Sequence, residues 1–138
     1  MTEEKKIEEM KQYLSRYAAQ QARVDWQKKK IEGLKMIMMD GKSEDDDTEF
    51  TPAEDIGYDT AQKKLTAEKV ELCKIYSEIT EQFDALPTQE MRDVLYGLYI
   101  DLDTQEDFSR RSLVHVKTVC RRHRQALVAL YDIMHKPD

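Results

Sequence analysis

The chain has 138 residues, 36% of them charged, and a formal net charge of −6, which is enough sequence for one compact core or for a small core with a helical extension. Only four glycines and three prolines interrupt it, so we expect an all-α protein dominated by long helices. The apolar runs are shorter than a membrane span, which argues against a membrane partner and favours a cytoplasmic protein.

The first predicted element is a helix over residues 3–39. Polar Gln21, Lys28 and Lys35 interrupt its apolar seam, which favours an antiparallel hairpin over a strong parallel coiled coil. Trp26 is expected to pack in the core, the alternative being the edge of the seam or an interface. The apolar residues of the seam recur at alternating spacings of three and four: Ile7, Met10, Leu14, Tyr17, Val24, Ile31 and Met38.

A second long helix is predicted over residues 61–86 as the partner of the first. Whether the two helices pair within one chain or between two chains stays open, so a homodimer is an alternative. We expect residues 1–86 to form a helical-hairpin domain and residues 87–138 a separate domain. One apolar stripe of the second helix contains Leu65, Leu72, Ile75, Tyr76, Ile79, Phe83 and Leu86.

Residues 40–60, between these helices, are predicted to form an acidic loop, since they combine many carboxylates with Gly41, Pro52 and Gly57. The run Glu44 to Asp47 raises the alternative of a calcium site, but the ligand order of an EF-hand is missing. A further alternative is that this loop mimics nucleic acid and folds back onto a basic helix. No metal site is therefore predicted.

The sequence of the last third of the chain predicts three shorter helices. Thr88 can cap the first, which follows Pro87 and carries a short apolar face. Asp103 or Thr104 can cap the second, which starts at Gln105 and is anchored by Phe108. The third is expected to run from about His115 to His135. The short second helix, a tight turn and the longer third helix have the pattern of a helix-turn-helix.

Positive charge is concentrated in this part of the chain. From residue 105 onward there are seven basic and four acidic residues, a net +3, which leaves −9 for residues 1–104. We expect base contacts from the start of the third helix and phosphate contacts from the arginines around it. The candidate base-contacting residues are His115, Lys117, Thr118 and Arg121, and the candidate phosphate-contacting residues are Arg110, Arg111, Arg122 and Arg124.

The same segment resembles region 4 of sigma factors. It is most similar to the sigma-like late-gene regulators of phages and mobile elements, the ArpU/RinA type. Leu113 stands where the turn of that pattern usually has glycine or a small polar residue, and a positive φ there would cost about 1 kcal/mol. The resemblance is carried by Leu98, Tyr99, Ile100, Phe108, Ser109, His115, Val116, Val119, Arg121, His123, Ala126 and Leu127.

This resemblance implies a three-helix, sigma-region-4-like fold at the C-terminal end. It also implies a DNA-binding transcriptional regulator of a phage or an integrated mobile element, with double-stranded DNA as partner and RNA polymerase as a candidate second partner. The alternative is a helical protein-interaction module whose degenerate helix-turn-helix does not read DNA.

Catalysis and cofactor binding find no support in the sequence. None of the three histidines lies in a recognisable nucleophile setting, and no glycine-rich phosphate loop is present. Cys73 and Cys120 are too far apart in sequence for a close-spaced metal motif and are expected to be free thiols. His123 lies on the apolar side of the third helix, so we interpret it as a core histidine with satisfied hydrogen bonds. We expect no enzyme and no cofactor.

Overall fold

The computed structural model describes residues 2–40 and 52–136, and this part of the chain is all-helical, with no strand. Five α-helices follow one another: α1 (Glu3–Asp40), α2 (Pro52–Asp84), α3 (Gln89–Tyr99), α4 (Gln105–Ser112) and α5 (Val116–Met134). Within the described ranges, no helix combines the length and the apolar character needed to cross a membrane.

The helix α2 starts earlier than the sequence predicted. Residues 52–60, which we expected in the acidic loop, form its first turns. Pro52 suits this position because the first turn of a helix needs no hydrogen bond from its nitrogen. Residues 41–51 lie outside the described residues, and with them the run Glu44 to Asp47 on which the calcium and fold-back alternatives depend.

The chain divides into two compact units. The first combines the chain up to Ala19 with the chain from Lys74 onward, and the second is Gln20–Cys73. Each long helix therefore contributes to both units. The predicted boundary between residues 86 and 87 instead places both long helices in one domain and the three shorter helices in the other. That boundary stays a prediction.

The core of the first unit is made by the start of α1, the end of α2 and the three shorter helices. Most of the predicted seam residues of this unit are buried, whereas Tyr76 is 38% exposed, although its ring centroid lies 6.1 Å from that of the seam residue Tyr17 on α1. The central buried side chains are Ile7, Met10, Leu14, Ile75, Ile79, Phe83, Leu86, Val94, Leu95, Ile100, Phe108, Val119, Ala126, Leu127 and Leu130.

Polar contacts join α1 to α2 within the first unit. The Tyr13 hydroxyl donates to Glu78 Oε1 at 3.0 Å, and Arg16 Nη2 lies 3.1 Å from Glu78 Oε2. The arginine holds the pKa of the Glu78 carboxyl below its usual range. Burial, assisted by Glu78, raises the pKa of Tyr13 to about 12. These contacts link the start of α1 to the end of α2 within the first unit.

The second unit has its own buried apolar residues. Among residues 20–38 and 57–73 these are Val24, Ile31 and Ala61. Gln20 is also buried, and its amide donates to the Glu68 carboxylate at 2.6 Å and to the Glu68 carbonyl at 2.9 Å. Trp26 is 61% exposed, so the expectation that it packs in the core was wrong. It lies two residues after buried Val24, and this step turns its side chain to the opposite side of α1.

Candidate nucleic-acid interface

Local signals in the sequence fix where α3 and α4 begin. Thr88 caps α3 by accepting a hydrogen bond from the Met91 N–H at 3.3 Å, as predicted. Of the two candidate caps for α4, Thr104 is the one used, since its hydroxyl accepts from the Asp107 N–H at 3.1 Å. Each cap satisfies one of the N–H groups that a helix start leaves without a partner.

A close approach between α3 and α4 depends on Gly97. A Cβ atom added to Gly97 would lie 2.4 Å from Cδ2 of the Phe108 ring, so no side chain fits there. Phe108 is buried as predicted, but it is Gly97 that lets α4 come this close to α3. Sequence reasoning missed Gly97, although an isolated glycine inside an apolar helical pattern is a signal of close packing.

The turn between α4 and α5 is held by Ser109. Its carbonyl accepts from the N–H groups of Leu113 and Val114, and its hydroxyl donates to the Val114 carbonyl. Leu113 ends α4 in the left-handed conformation, with φ 59° and ψ 34°, and is 92% exposed. The turn thus does need a positive φ at this position, on a leucine where glycine would carry no steric cost.

His115 serves as the N-cap of α5. Its Nδ1 accepts a hydrogen bond from the Lys117 N–H at 3.1 Å, so this nitrogen is occupied and only the Nε2 edge of the ring stays open to a ligand. The helix begins at Val116, one residue later than predicted.

The N-terminal half of α5 presents basic side chains that have no ion-pair partner. Lys117 and Arg121 are exposed, and Thr118 and Arg122 are half-buried. Among residues 2–38 and 57–136, no carboxylate lies within 4 Å of Lys117, Arg121 or Arg122. Lys117 and Arg121 are four residues apart and share one face of the helix.

The other predicted phosphate ligands are paired within the protein. Arg110 bonds Asp107 at 2.8 Å. Arg111 bonds Asp103 at 2.6 Å, lies 3.7 Å from Asp101, and has its guanidinium carbon 5.4 Å from the centre of the Phe108 ring. Arg124 lies 3.9 Å from Glu3 on α1. These pairs are largely exposed, and exposed pairs are weak, so a phosphate can compete for the arginines.

A buried polar network fixes α5 against α3 and α4. His123 Nε2 lies 2.7 Å from the Tyr99 hydroxyl, and the Gln105 amide nitrogen donates to His123 Nδ1 at 3.2 Å. The carbonyl oxygen of Gln105 accepts from the Cys120 thiol at 2.7 Å. His123 is thus a core histidine with satisfied hydrogen bonds, as predicted, and in this arrangement its Nε2 carries the proton.

The surroundings of His123 oppose its protonation. Burial, and then the positive charges of Lys11 and Arg124, lower its pKa from 6.5 to about 4. Burial also raises the pKa of its partner Tyr99 to about 12. The imidazole is therefore neutral at pH 7, and its role in the network is structural.

In the described part of the chain, no three His, Cys, Asp or Glu side chains come together as a metal site. Cys73 and Cys120 are free thiols, as predicted.

Comparisons of the chain with protein-family models, with curated proteins and with solved structures find no match. The resemblance to sigma-factor region 4 therefore depends on the residues of this chain alone.

Proposed function

We propose that the chain is a DNA-binding transcriptional regulator of a phage or an integrated mobile element. In this proposal α4, the Leu113 turn and α5 form a sigma-region-4-like helix-turn-helix, α3 completes its core, and α1 with α2 forms a helical hairpin. The observation that carries the proposal is the basic N-terminal half of α5, where Lys117, Arg121 and Arg122 lack the ion pairs that their neighbours make.

Electrostatics and geometry both favour a polyanion at this end of α5. The start of a helix carries partial positive charge and N–H groups directed outward. Residues 108–131 contain no acidic residue, so nothing on α5 before Asp132 repels a phosphate. Side chains at the N-terminal end of a recognition helix are those that reach base edges in the major groove. Lys117, Thr118 and Arg121 are therefore the proposed base-contacting residues, with the open edge of His115 beside them.

The paired arginines have a different role in this proposal. Arg110, Arg111 and Arg124 must exchange Asp107, Asp103 and Glu3 for phosphates when DNA binds. The free-energy gain from each new arginine–phosphate contact is therefore reduced. The arginine gives up its carboxylate, and that carboxylate stays nearby and repels the phosphate. Double-stranded DNA is the proposed partner, and RNA polymerase and a second copy of the chain are proposed as further partners.

A second candidate function is a protein-interaction module in which the C-terminal helices are only a scaffold. The exposure of Trp26, at 61%, favours this alternative, since large exposed aromatic side chains are enriched where proteins meet.

The two functions are separated by a fluorescence-anisotropy titration with two labelled duplexes, one from upstream of the protein's own gene and one with the same bases scrambled. A regulator binds the upstream duplex more tightly, and Lys117→Ala/Arg121→Ala removes the preference. Lys63→Ala/Lys64→Ala is the matched control, because both lysines are exposed on α2 and it removes the same charge. Equal weak binding to both duplexes, or none, contradicts the proposal.

A further inference from the structure

One outward face of α1 in the second unit combines apolar and basic side chains. Measured from Trp26, Arg23 and Lys29 are three residues away, Lys30 is four and Ile37 is eleven, spacings that put each within about 60° of Trp26 around the helix axis. Trp26 is 61% exposed and Ile37 is 63% exposed. We name these five residues the Trp26 face.

The charged side chains of the Trp26 face are basic. Arg23, Lys29 and Lys30 are exposed, and within residues 2–38 and 57–136 none of them has an ion-pair partner. Asp25 and Glu32 lie about 100–120° around the axis from Trp26 at 100° per residue, whereas Asp40, the last residue of α1, lies about 40° from it. Trp26 and Ile37 thus share a face with three cations, and the acidic residues near it are Asp40 at the end of the helix and Glu68 at its edge.

A depression beside Trp26 adds polar groups to this face. It has a volume of about 360 Å³ and is lined by Ala22, Arg23, Trp26, Gln27 and Glu68. Gln27 Oε1 is buried and, in the part of the chain that the structure describes, receives no hydrogen bond. The Glu68 carboxylate already accepts from Gln20. The depression therefore offers an aromatic wall formed by Trp26 and the guanidinium of Arg23 at its rim.

We infer that the Trp26 face is a docking surface for an acidic segment of another protein. Carboxylates of the segment pair with Arg23, Lys29 and Lys30, and an apolar side chain packs on Trp26. Charge complementarity sets the sign of the partner, and the exposed aromatic residue supplies the anchor that dominates small protein interfaces.

The same features disfavour duplex DNA at this face. Duplex phosphates can pair with the cations but make no use of the apolar surface of Trp26 and Ile37. The inference is independent of DNA binding by α5, which uses residues of the other unit.

Trp26 is the only tryptophan of the chain, so its emission reports directly on this surface in the full-length protein. The probes are two synthetic helix-forming peptides of equal length built from Leu and Ala, one with glutamate and one with lysine at its charged positions, and a duplex DNA. We expect the acidic peptide to shift the emission to shorter wavelength with saturation, and the lysine peptide and the DNA to leave it unchanged.

The variant Lys29→Glu/Lys30→Glu keeps the reporter and reverses the charge of the face. It should weaken binding of the acidic peptide by about tenfold or more, whereas Lys63→Glu/Lys64→Glu should change it by less than about twofold. Circular dichroism checks that both variants stay helical. An equal response to the lysine peptide, a saturating response to DNA, or no response to the acidic peptide up to about 1 mM overturns the inference.

Discussion

Single residues decide the geometry of the candidate interface, and only some of them can be identified from the sequence. Thr88 and Thr104 are predictable caps, because a threonine directly before a helix with an acidic first turn can be recognised from the neighbouring sequence alone. The resemblance marked Leu113 as the position where a positive φ would be costly, but the sequence did not show whether the turn needs one, since leucine itself gives no such signal. The partners of His123 could not be predicted, because Tyr99 and Gln105 reach it through tertiary packing.

At the residue scale, we predict that His123 makes stability depend on pH. An unfolded histidine gains a proton near pH 6.5, whereas in the folded chain its pKa is about 4. The unfolded state therefore binds more protons between these values, so the contribution is present above pH 6.5 and is lost as the pH falls towards 4. Between pH 7 and pH 5 the wild type should lose about 1–2 kcal/mol more than His123→Gln.

Urea unfolding at several pH values measures this difference. The glutamine variant is the control, since carboxylates such as Glu78 titrate in both proteins and cancel in the comparison. Parallel pH profiles for the two proteins would show that His123 does not contribute.

At the element scale, heptad spacing gave the existence of α1 and α2 and most of their buried faces. It failed at the start of α2, because carboxylates, Pro52 and Gly57 resemble a loop while a first helical turn tolerates all three. It also failed for Trp26, because general burial trends favour a buried aromatic whereas its position on α1 turns it outward. The crossing of α3 and α4 at Gly97 depends on a tertiary contact with Phe108, which cannot be predicted from helical periodicity.

Because α3 and α4 cross at Gly97, we predict that Gly97→Ala destabilises the fold. The new Cβ would lie 2.4 Å from the Phe108 ring, so α3 and α4 must move apart, at a cost of about 1–3 kcal/mol. The matched control is Gly33→Ala, because a Cβ there meets nothing within 4 Å. That change should be neutral or stabilise α1 by about 1 kcal/mol. Urea unfolding measures both variants, and equal stabilities would contradict the account of the crossing.

At the scale of the whole molecule, charge is unevenly distributed. The chain carries −6 overall, yet residues from 105 onward carry +3, and that division was visible in the sequence. The sequence could not show that the arginines split into two groups. Arg110, Arg111 and Arg124 face carboxylates, one of them on α1, while Arg121 and Arg122 do not. Only the folded chain brings Glu3 next to Arg124. DNA binding should therefore be modest in affinity, strongly dependent on salt, and dominated by the unpaired residues.

The most direct test of this account is the salt dependence of DNA binding by the wild type and by Lys117→Ala/Arg121→Ala. Each lost phosphate contact lowers the slope of log K against log salt by about 0.9. Because Lys117 and Arg121 are proposed to contact bases rather than phosphates, we predict a loss of affinity for the upstream duplex with a fall in slope well below the roughly 1.8 that two lost phosphate contacts would give. Lys63→Ala/Lys64→Ala should keep the slope of the wild type. If both double variants bind DNA with the affinity and slope of the wild type, the N-terminal half of α5 is not the DNA-binding surface.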